Sequence, residues 1–422
     1  MRNQRTSLVI FIVGAIGVIA LVVGMGWMNY NYCRQNPGGN DFLVHWMGTR
    51  LLLKDGISPY SDQTATQIQI FAYGHPAEPG QHELRVAYPL YSVLLFIPFA
   101  LIQDFALARA VWMTLLEISL ILLTYFSLRL FQWKPNLIIL ALVFLFSLVW
   151  YHAVRTIING NAVALVALGL LGAFLAIKNG LDEVAGFLLA LTTIKPQLVV
   201  LVILFVLIWA ANRGRWKLVS WFLGTMVILV AAAFLFVPDW ILQNIREILR
   251  YPGYNPPGTP GAAFSVWFPA MGNRLGWILS GIMIVILLIE WFLAIRRKDE
   301  FPGFFWTAYL TLVASQWIGI QTDPGNFIIL FPAIVLVFAM WEQRWKRAGM
   351  ALTVLSVLIL AVGIWAIFLA TLDVGYQPQQ SPVLFFPLPL FLFITLYWTR
   401  WWAVKQPRAW FDELYARENF RK

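Results

Sequence analysis

The sequence is poor in charge and in cysteine. Only 12% of its 422 residues are charged, about half the roughly 25% of an average soluble domain, whereas 60% are hydrophobic and the mean hydropathy is +0.73. Apolar runs recur from one end of the chain to the other, which excludes a soluble domain with a single anchor. Cys33 is the only cysteine, so an intramolecular disulfide is also excluded.

Acidic residues are scarcer than basic ones, and the net charge is +10. No basic stripe with interleaved aromatic residues stands on a soluble module, so we expect no nucleic-acid partner. In so apolar a chain, basic residues are typical of cytoplasmic loops. The 21 Trp and 14 Tyr are typical of aromatic belts at the two faces of a bilayer, so membrane lipids are expected partners.

The N-terminal segment superficially resembles a signal peptide, because Arg2 and Arg5 precede an apolar run over 8–23. No convincing small-residue cleavage site follows this run, which continues into Trp27. We therefore predict a retained first span with an aromatic anchor.

The apolar runs predict an all-α integral membrane protein with about twelve transmembrane helices and extracytoplasmic juxtamembrane helices. The candidate spans are 8–28, 105–128, 137–151, 161–177, 184–194, 196–211, 216–238, 276–296, 303–320, 326–341, 348–371 and 384–402. Several are shorter than the roughly 20 residues of a full crossing. Neither an internal repeat nor the inverted halves of a secondary transporter are evident. We predict one membrane domain over 1–402 and a basic cytoplasmic tail over 403–422.

The apolar stretch 88–102 decides the topology. If it crossed the membrane, the basic clusters at 213–217, 296–298 and 344–347 would all lie outside, against the positive-inside rule. We therefore predict a juxtamembrane or re-entrant helix on the outer side, broken by prolines 89 and 98. Both termini are then cytoplasmic in a multi-pass protein of the cell membrane.

This topology leaves two long outer loops, 29–104 and 239–275, and loops of that length are usually functional. Part of the second loop, over 251–261, is so rich in proline and glycine that we expect no regular structure there. It is either a mobile flap over a site or a passive linker.

In the first loop, an amphipathic helix is predicted to begin near Asp41 and to end at Asp55-Gly56. His45 lies one turn after Asp41 on the same helix face. Asp41 is either a functional carboxylate or simply the N-cap of this helix.

Two basic residues lie at the ends of later spans. Arg155 is costly near the membrane edge unless it is paired or hydrated, although an interfacial arginine can also reach lipid headgroups. Lys195-Pro196 separates two apolar runs, and a lysine in such a helix break usually lines a wet cavity. A buried ion pair with a carboxylate is the alternative for Lys195.

Taken together, these segments resemble a C-type glycosyltransferase, and more narrowly glycosyltransferase family 87, the polyprenol-phosphate-mannose-dependent α-mannosyltransferases. Four pieces carry the resemblance, in the family's order and over about the first half of the chain. They are the Asp41 loop with its Gly56–Tyr60 tail, the Tyr-Pro-Leu run at 88–90, the Gly160-Asn161 helix opening and the 185–196 segment ending in Lys195-Pro196.

The sequence departs from the family at three points. Leu90 stands where the family usually has a second proline, and Asn161 follows Gly160 where glutamine is usual. Late in the chain the family tends to place a histidine six residues before a proline, whereas here Asn326 precedes Pro332.

The resemblance implies a membrane hexosyltransferase that moves a sugar, mannose in the family, from a polyprenyl-phosphate donor to a lipid-linked or envelope glycan acceptor with inversion. Asp41 would be the general base, and Lys195, helped by Arg155 or Arg50, would hold the phosphate. His45 would orient Asp41 or contact the phosphate. Other expected substrate-binding residues are Tyr60, Tyr88, Asn161 and Asn326. No cofactor and no metal ion is expected, since no nucleotide-binding loop is present and carboxylates are not clustered.

A transporter, a ligase and a non-enzymatic scaffold are the alternatives to a transferase of this family. A transporter or flippase for a lipid-linked or anionic substrate would share the many spans and the buried Lys195, but should show repeat symmetry or central charges. An O-antigen-ligase-like enzyme would concentrate arginines in a large late loop, whereas here only Arg246 and Arg250 stand at the start of that loop. A non-enzymatic scaffold would leave Asp41 replaceable.

Overall fold

The computed structural model describes residues 2–255, 258–296, 301–318, 323–373 and 380–403, and every secondary-structure element within these ranges is helical. The helices of the first half are α1 (Arg2–Gln35), α2 (Asn40–Asp55), α3 (Asp62–Tyr73), α4 (Val93–Ala100), α5 (Phe105–Leu130), α6 (Leu137–Val149), α7 (Tyr151–Asn159), α8 (Val163–Lys178), α9 (Asp182–Thr192) and α10 (Pro196–Asn212). Those of the second half are α11 (Trp216–Phe236), α12 (Trp240–Arg250), α13 (Pro260–Trp267), α14 (Gly272–Arg296), α15 (Phe301–Ser315), α16 (Phe331–Trp345), α17 (Arg347–Leu358), α18 (Ile364–Thr371) and α19 (Pro387–Ala403).

Every predicted span coincides with a helix, but fewer of these helices are long enough to cross a bilayer. Within the described residues, seven helical segments have the required length and apolar character, and an eighth does if the pair α6 and α7, bent by 45°, counts as one span. The seven are Ile12–Gln35, Phe105–Leu130, Trp216–Phe236, Gly272–Arg296, Pro324–Trp345, Arg347–Thr371 and Pro382–Trp402. The other predicted spans are shorter helices. Breaks at Trp150 and at 193–195 bound α6, α9 and α10, turns at 160–162 and 179–181 bound α8, and α15 ends at Ser315.

Two compact units divide the chain. The first consists of residues 1–119, 155–162 and 231–255, and the second of 120–154, 163–230 and 256–422. In the first unit, α2 packs against α3 and α4. Phe42 of α2 lies at the centre of this packing, with its ring stacked on Trp112 at 5.3 Å between centroids and in edge contact with Phe99. Because Phe42 and Trp112 are completely buried, this aromatic cluster fixes the start of α2.

In the second unit, α8 and α9 form a helical hairpin, and α15 packs against α10, α14 and α19. Every residue of α15 from Gly303 to Ser315 is buried, which is typical of a helix surrounded by others. The segment Pro324–Trp345 is almost as deeply buried. These two elements form the core of the unit.

The stretch 88–102 forms a short 3₁₀ turn, Leu90–Ser92, followed by α4 with Pro98 inside it. This helix is too short for a full crossing, and its position on the outer side stays a prediction. The expectation that proline 98 breaks it is wrong, because α4 continues through this residue to Ala100. The expectation for 251–261 is wrong in part, because Tyr251–Gly253 forms a 3₁₀ turn and α13 begins at Pro260. The Thr259 side chain caps α13 and Pro260 takes its first position, where a missing N–H costs nothing. Residues 256 and 257, and the predicted tail beyond residue 403, lie outside the described residues.

Candidate functional site

The helix that carries Asp41 begins as predicted, but Asp41 is not its N-cap. Gly39 holds that position with a left-handed φ of 78°, and Asp41 lies inside the first turn of α2, half-buried. The positive end of the helix dipole stabilises a carboxylate placed there. Gly56, with φ 66°, ends the helix after Asp55, as the sequence indicated.

A buried arginine that the sequence interpretation missed fixes the turn before Asp41. Arg109 of α5 is 1% exposed and donates to the carbonyl oxygens of Asn36 at 2.8 Å and of Ile158 at 3.0 Å. A Cβ added to Gly39 would collide with the Arg109 side chain, so the glycine is needed for space as well as for its φ. The signal available in the sequence was an arginine inside an otherwise apolar span, which is rarely without a role.

The Gly160-Asn161 turn packs directly on the Asp41 helix. Gly160 has φ 73°, and a Cβ added to it would lie 2.5 Å from Cβ of Phe42, the residue after Asp41. The Trp112 indole donates to the Gly160 carbonyl oxygen at 2.8 Å, and the backbone N–H of Asn161 donates to the Thr156 carbonyl oxygen at 2.9 Å. The first unit therefore brings the turn that carries the buried Asn161 against the start of α2.

His45 and Tyr88 contact each other. The His45 ring contacts the Tyr88 ring, at 4.0 Å between centroids, and stacks on the Phe96 ring at 4.6 Å. The Tyr60 hydroxyl donates to the Tyr88 carbonyl oxygen at 2.6 Å. Burial, and then the nearby Tyr91 and Glu247, raise the pKa of Tyr60 well above its ordinary value, so this phenol stays a neutral donor. His45, Tyr60 and Tyr88, three of the predicted substrate-binding residues, thus form one cluster.

Arg50 and Arg155 differ in their surroundings. Arg50 donates to the carbonyl oxygens of Ala100 at 2.8 Å and Ile102 at 3.4 Å, and its guanidinium lies over the Trp46 ring. These contacts tie α2 to the end of α4, which is a structural task. Arg155 lies half-buried on α7.

Lys195 and Asn326 meet in the second unit, although 131 residues separate them. The Lys195 ammonium donates to the Asn326 side-chain oxygen at 2.6 Å, and the two residues are 2% and 4% exposed. Lys195 stands in the predicted helix break, with Pro196 opening α10. The ring of Phe327, the next residue after Asn326, contacts the buried His152 at 5.3 Å.

The predicted residues therefore form two groups. One group belongs to the first unit: Asp41, His45, Arg50, Tyr60, Tyr88, Arg155 and Asn161. Lys195 and Asn326 belong to the second unit. The catalytic and binding roles of all nine stay predictions. Among the described residues, no group of three or more His, Cys, Asp or Glu side chains could hold a metal ion.

The fold defines a polytopic helical membrane protein, and comparison with known families gives its class of activity. Residues 87–316, more than half of the chain, match glycosyltransferase family 87. The chain belongs to this family and is therefore a membrane glycosyltransferase. No curated protein and no solved structure matches it. The matched range includes Tyr88, Arg155, Asn161 and Lys195, whereas Asp41 precedes it.

Proposed function

We propose that the protein transfers mannose from a polyprenyl-phosphate donor to a lipid-linked or envelope glycan acceptor, with inversion at the anomeric carbon and Asp41 as general base. Membership of family 87 supports the transfer of a sugar over the transport of a lipid-linked substrate. The observation that carries the choice of base is the position of Asp41. It is a half-buried carboxylate in the first turn of a helix whose start is fixed by Arg109, Phe42 and Gly160.

In the proposed reaction, the acceptor hydroxyl oxygen attacks the anomeric carbon as the bond from that carbon to the phosphate oxygen breaks. The hydroxyl proton passes to the Asp41 carboxylate, and the electron pair of the broken bond leaves with the polyprenyl phosphate. A phosphate monoester is a good leaving group, so the reaction needs a positioned base and compensation of the phosphate charge.

Lys195 is the proposed phosphate-binding residue, and Arg155 its proposed helper. A buried ammonium with an amide oxygen at 2.6 Å is held in one orientation, and Asn326 in this role orients the lysine. A positioned cation in a site of low dielectric interacts with an anion far more strongly than it would in water. Arg50, which is engaged with backbone carbonyls, is a weaker candidate than Arg155.

His45, Tyr60, Tyr88 and Asn161 are proposed to bind and orient the substrates around Asp41. His45 is fixed by the rings of Tyr88 and Phe96, and Tyr60 fixes the Tyr88 backbone. Groups held in this way lose little entropy when the substrate binds. Neither a cofactor nor a metal ion is part of the proposal.

We further propose a cell-membrane topology of about twelve spans, in one domain over 1–402, with both termini cytoplasmic and the site extracytoplasmic. Beside the seven long segments, the bent pair α6–α7 and the shorter helices α8, α9, α10 and α15 would complete the twelve, crossing where the bilayer thins. The basic clusters of the sequence support this orientation.

The donor class is tested with membranes that contain the overproduced protein, supplied with radiolabelled polyprenyl-phosphate mannose. Parallel reactions contain polyprenyl-phosphate glucose or GDP-mannose, and control membranes lack the protein. We expect protein-dependent product from polyprenyl-phosphate mannose and none directly from GDP-mannose when synthesis of the lipid donor is blocked. Transfer from the nucleotide sugar, or no transfer from any lipid-phosphate sugar, would refute the proposed donor.

A further inference from the structure

Helix α12 presents three chemically different surfaces, and their arrangement indicates where the helix lies. At about 100° per residue, side chains of an α-helix are spread evenly around its axis. If the direction of the Trp240 side chain around the helix axis is taken as 0°, the buried residues Trp240, Asn244 and Glu247 all lie within about 40° of it. The rest of α12 is exposed or half-buried and divides into an apolar arc and a polar arc.

The apolar arc spans directions from about 80° to 200°. It is formed by Ile241, Leu242, Ile245, Ile248 and Leu249, all of which are exposed. Leu242 is 61% and Leu249 76% exposed, which is unfavourable if water surrounds them. The helix therefore presents a continuous apolar strip away from the protein.

The polar arc spans directions from about 240° to 300°. Gln243, Arg246 and Arg250 form it. Arg250 pairs with Glu83 at 3.0 Å and Gln243 accepts from the Ser58 hydroxyl at 2.6 Å, while Arg246 is exposed. One side of the strip thus borders hydrophilic groups, and the other borders the protein.

The preceding helix shows that α12 lies near a bilayer surface. Trp216–Phe236 is a candidate membrane span, and only residues 237–239, with Pro238 in the middle, separate it from α12. At no more than about 3.6 Å per residue, this connection keeps the start of α12 within about 15 Å of the end of the span. An 11-residue helix is about 17 Å long, too short to cross about 30 Å of hydrocarbon.

We propose that α12 is a monotopic helix seated in the membrane–water interface, with its apolar arc in the lipid and its polar arc in the water. The apolar arc faces the bilayer itself, since the exposed apolar residues Phe234, Leu235 and Phe236 end the candidate span, which only three residues separate from α12.

The buried side of α12, formed by Trp240, Asn244 and Glu247, connects this interfacial helix to the segment around Tyr88. The Asn244 side chain donates to the carbonyl oxygens of Ala87 at 3.0 Å and Tyr88 at 3.2 Å. Glu247 accepts from the Arg85 guanidinium at 2.6 Å, and both side chains are 6% exposed. A charge-assisted bond between buried groups is among the stronger contacts a helix makes. Through these contacts, α12 fixes the depth of Tyr88, and with it His45, relative to the lipid surface.

The proposal is tested by attaching an environment-sensitive fluorophore to single cysteines on the two arcs, in protein reconstituted into phosphatidylcholine vesicles. Ile245→Cys and Leu249→Cys report on the apolar arc, and Arg246→Cys is the matched control one residue away. Unsubstituted protein, whose Cys33 is buried, gives the labelling background. Two variants on the apolar arc are used so that a folding defect in one leaves the other to report.

We expect the label at 245 and 249 to show blue-shifted emission and to be quenched by nitroxide-bearing lipids several-fold more than by iodide. The label at 246 should show the reverse preference. Equal quenching of 245 and 246 by iodide would place α12 in water, and equal quenching of both by lipid would place it inside the bilayer. Protection of 245 and 249 from both quenchers would show that protein covers the apolar arc, and each of these three results overturns the proposal.

Discussion

Replacing Gly160 with alanine tests the contact that joins the Asn161 turn to the Asp41 helix. The added methyl group would lie 2.5 Å from Cβ of Phe42 and 3.3 Å from Cδ1 of Trp112. Both partners are completely buried in the aromatic cluster, so neither can move away without disturbing its own packing.

Two costs add in this variant. Alanine in the left-handed region, at the φ of 73°, costs about 1–2 kcal/mol. Overpacking of a full core costs about 1–3 kcal/mol more, so Gly160→Ala should lose about 2–5 kcal/mol in total.

Gly180→Ala is the matched control. Gly180 also has φ 73° and also ends a helix, with its N–H bonded to the carbonyl three residues back at 3.2 Å, as in Gly160. Nothing lies within 4 Å of a Cβ added to Gly180. It should therefore lose only the conformational cost of about 1–2 kcal/mol.

Denaturant titration in detergent micelles measures the two free energies of unfolding, and the transfer assay measures activity. Gly160→Ala should be less stable than Gly180→Ala by about 1–3 kcal/mol and should lose activity at temperatures where both remain folded. Equal stability of the two variants, with wild-type transfer by Gly160→Ala, would refute the inferred contact.

Three further perturbations test other parts of the molecule. Lys195→Met breaks the buried hydrogen bond to Asn326, so it should abolish transfer and cost about 1.5–3 kcal/mol of stability. If Asn326→Leu transferred sugar at the wild-type rate, the proposed role of Asn326 in orienting Lys195 would be contradicted. Arg109→Lys keeps the positive charge but loses the forked guanidinium that donates to two carbonyl oxygens. The kcat should therefore fall by up to about a hundredfold with little change in KM. A change in KM alone would contradict the role of Arg109 in positioning the start of α2. Because the Arg85 guanidinium holds the pKa of Asp62 below its ordinary 3.8, this carboxylate stabilises the fold above that pH, and the stabilisation is lost as the pH falls through the lowered pKa. Between neutral pH and pH 3, the thermal midpoint should therefore fall less in Asp62→Asn than in wild type. The difference between the two should be small, because the Asp62 side chain is mostly exposed. An equal fall of the midpoint in both proteins would contradict the pairing of Asp62 with Arg85.

The sequence predicted the helices well, because apolar runs and their breakers are local signals. The break at Lys195-Pro196 and the helix ending at Asp55-Gly56 are both where proline and glycine chemistry places them. The number of membrane-length helices could not be predicted in the same way. Helix length depends on whether a break such as Trp150 bends a helix or ends it, and composition does not distinguish the two.

The candidate site was predictable where its residues share a local motif, as Asp41 and His45 do on α2. The contact of His45 with Tyr88 and the bond from Lys195 to Asn326 depend on packing between segments distant in sequence. Arg109 was missed because its partners are backbone carbonyls, which every residue offers and no sequence pattern marks. Gly160 was recognised as part of a helix opening, but its close approach to Phe42 is visible only in three dimensions.

Asp41→Asn, compared with Asp55→Asn, tests the central claim most directly. Both residues lie on α2, and Asp55 is exposed at the opposite end, so the pair removes one carboxylate each from the same helix. With polyprenyl-phosphate mannose as donor, Asp41→Asn should lower kcat by about 10²–10⁴-fold while Asp55→Asn transfers at the wild-type rate. Both variants should stay folded, with Asp41→Asn less stable by about 0.3–1 kcal/mol because it loses its interaction with the helix dipole. Transfer by a folded Asp41→Asn variant at the wild-type rate would contradict the assignment of Asp41 as the base.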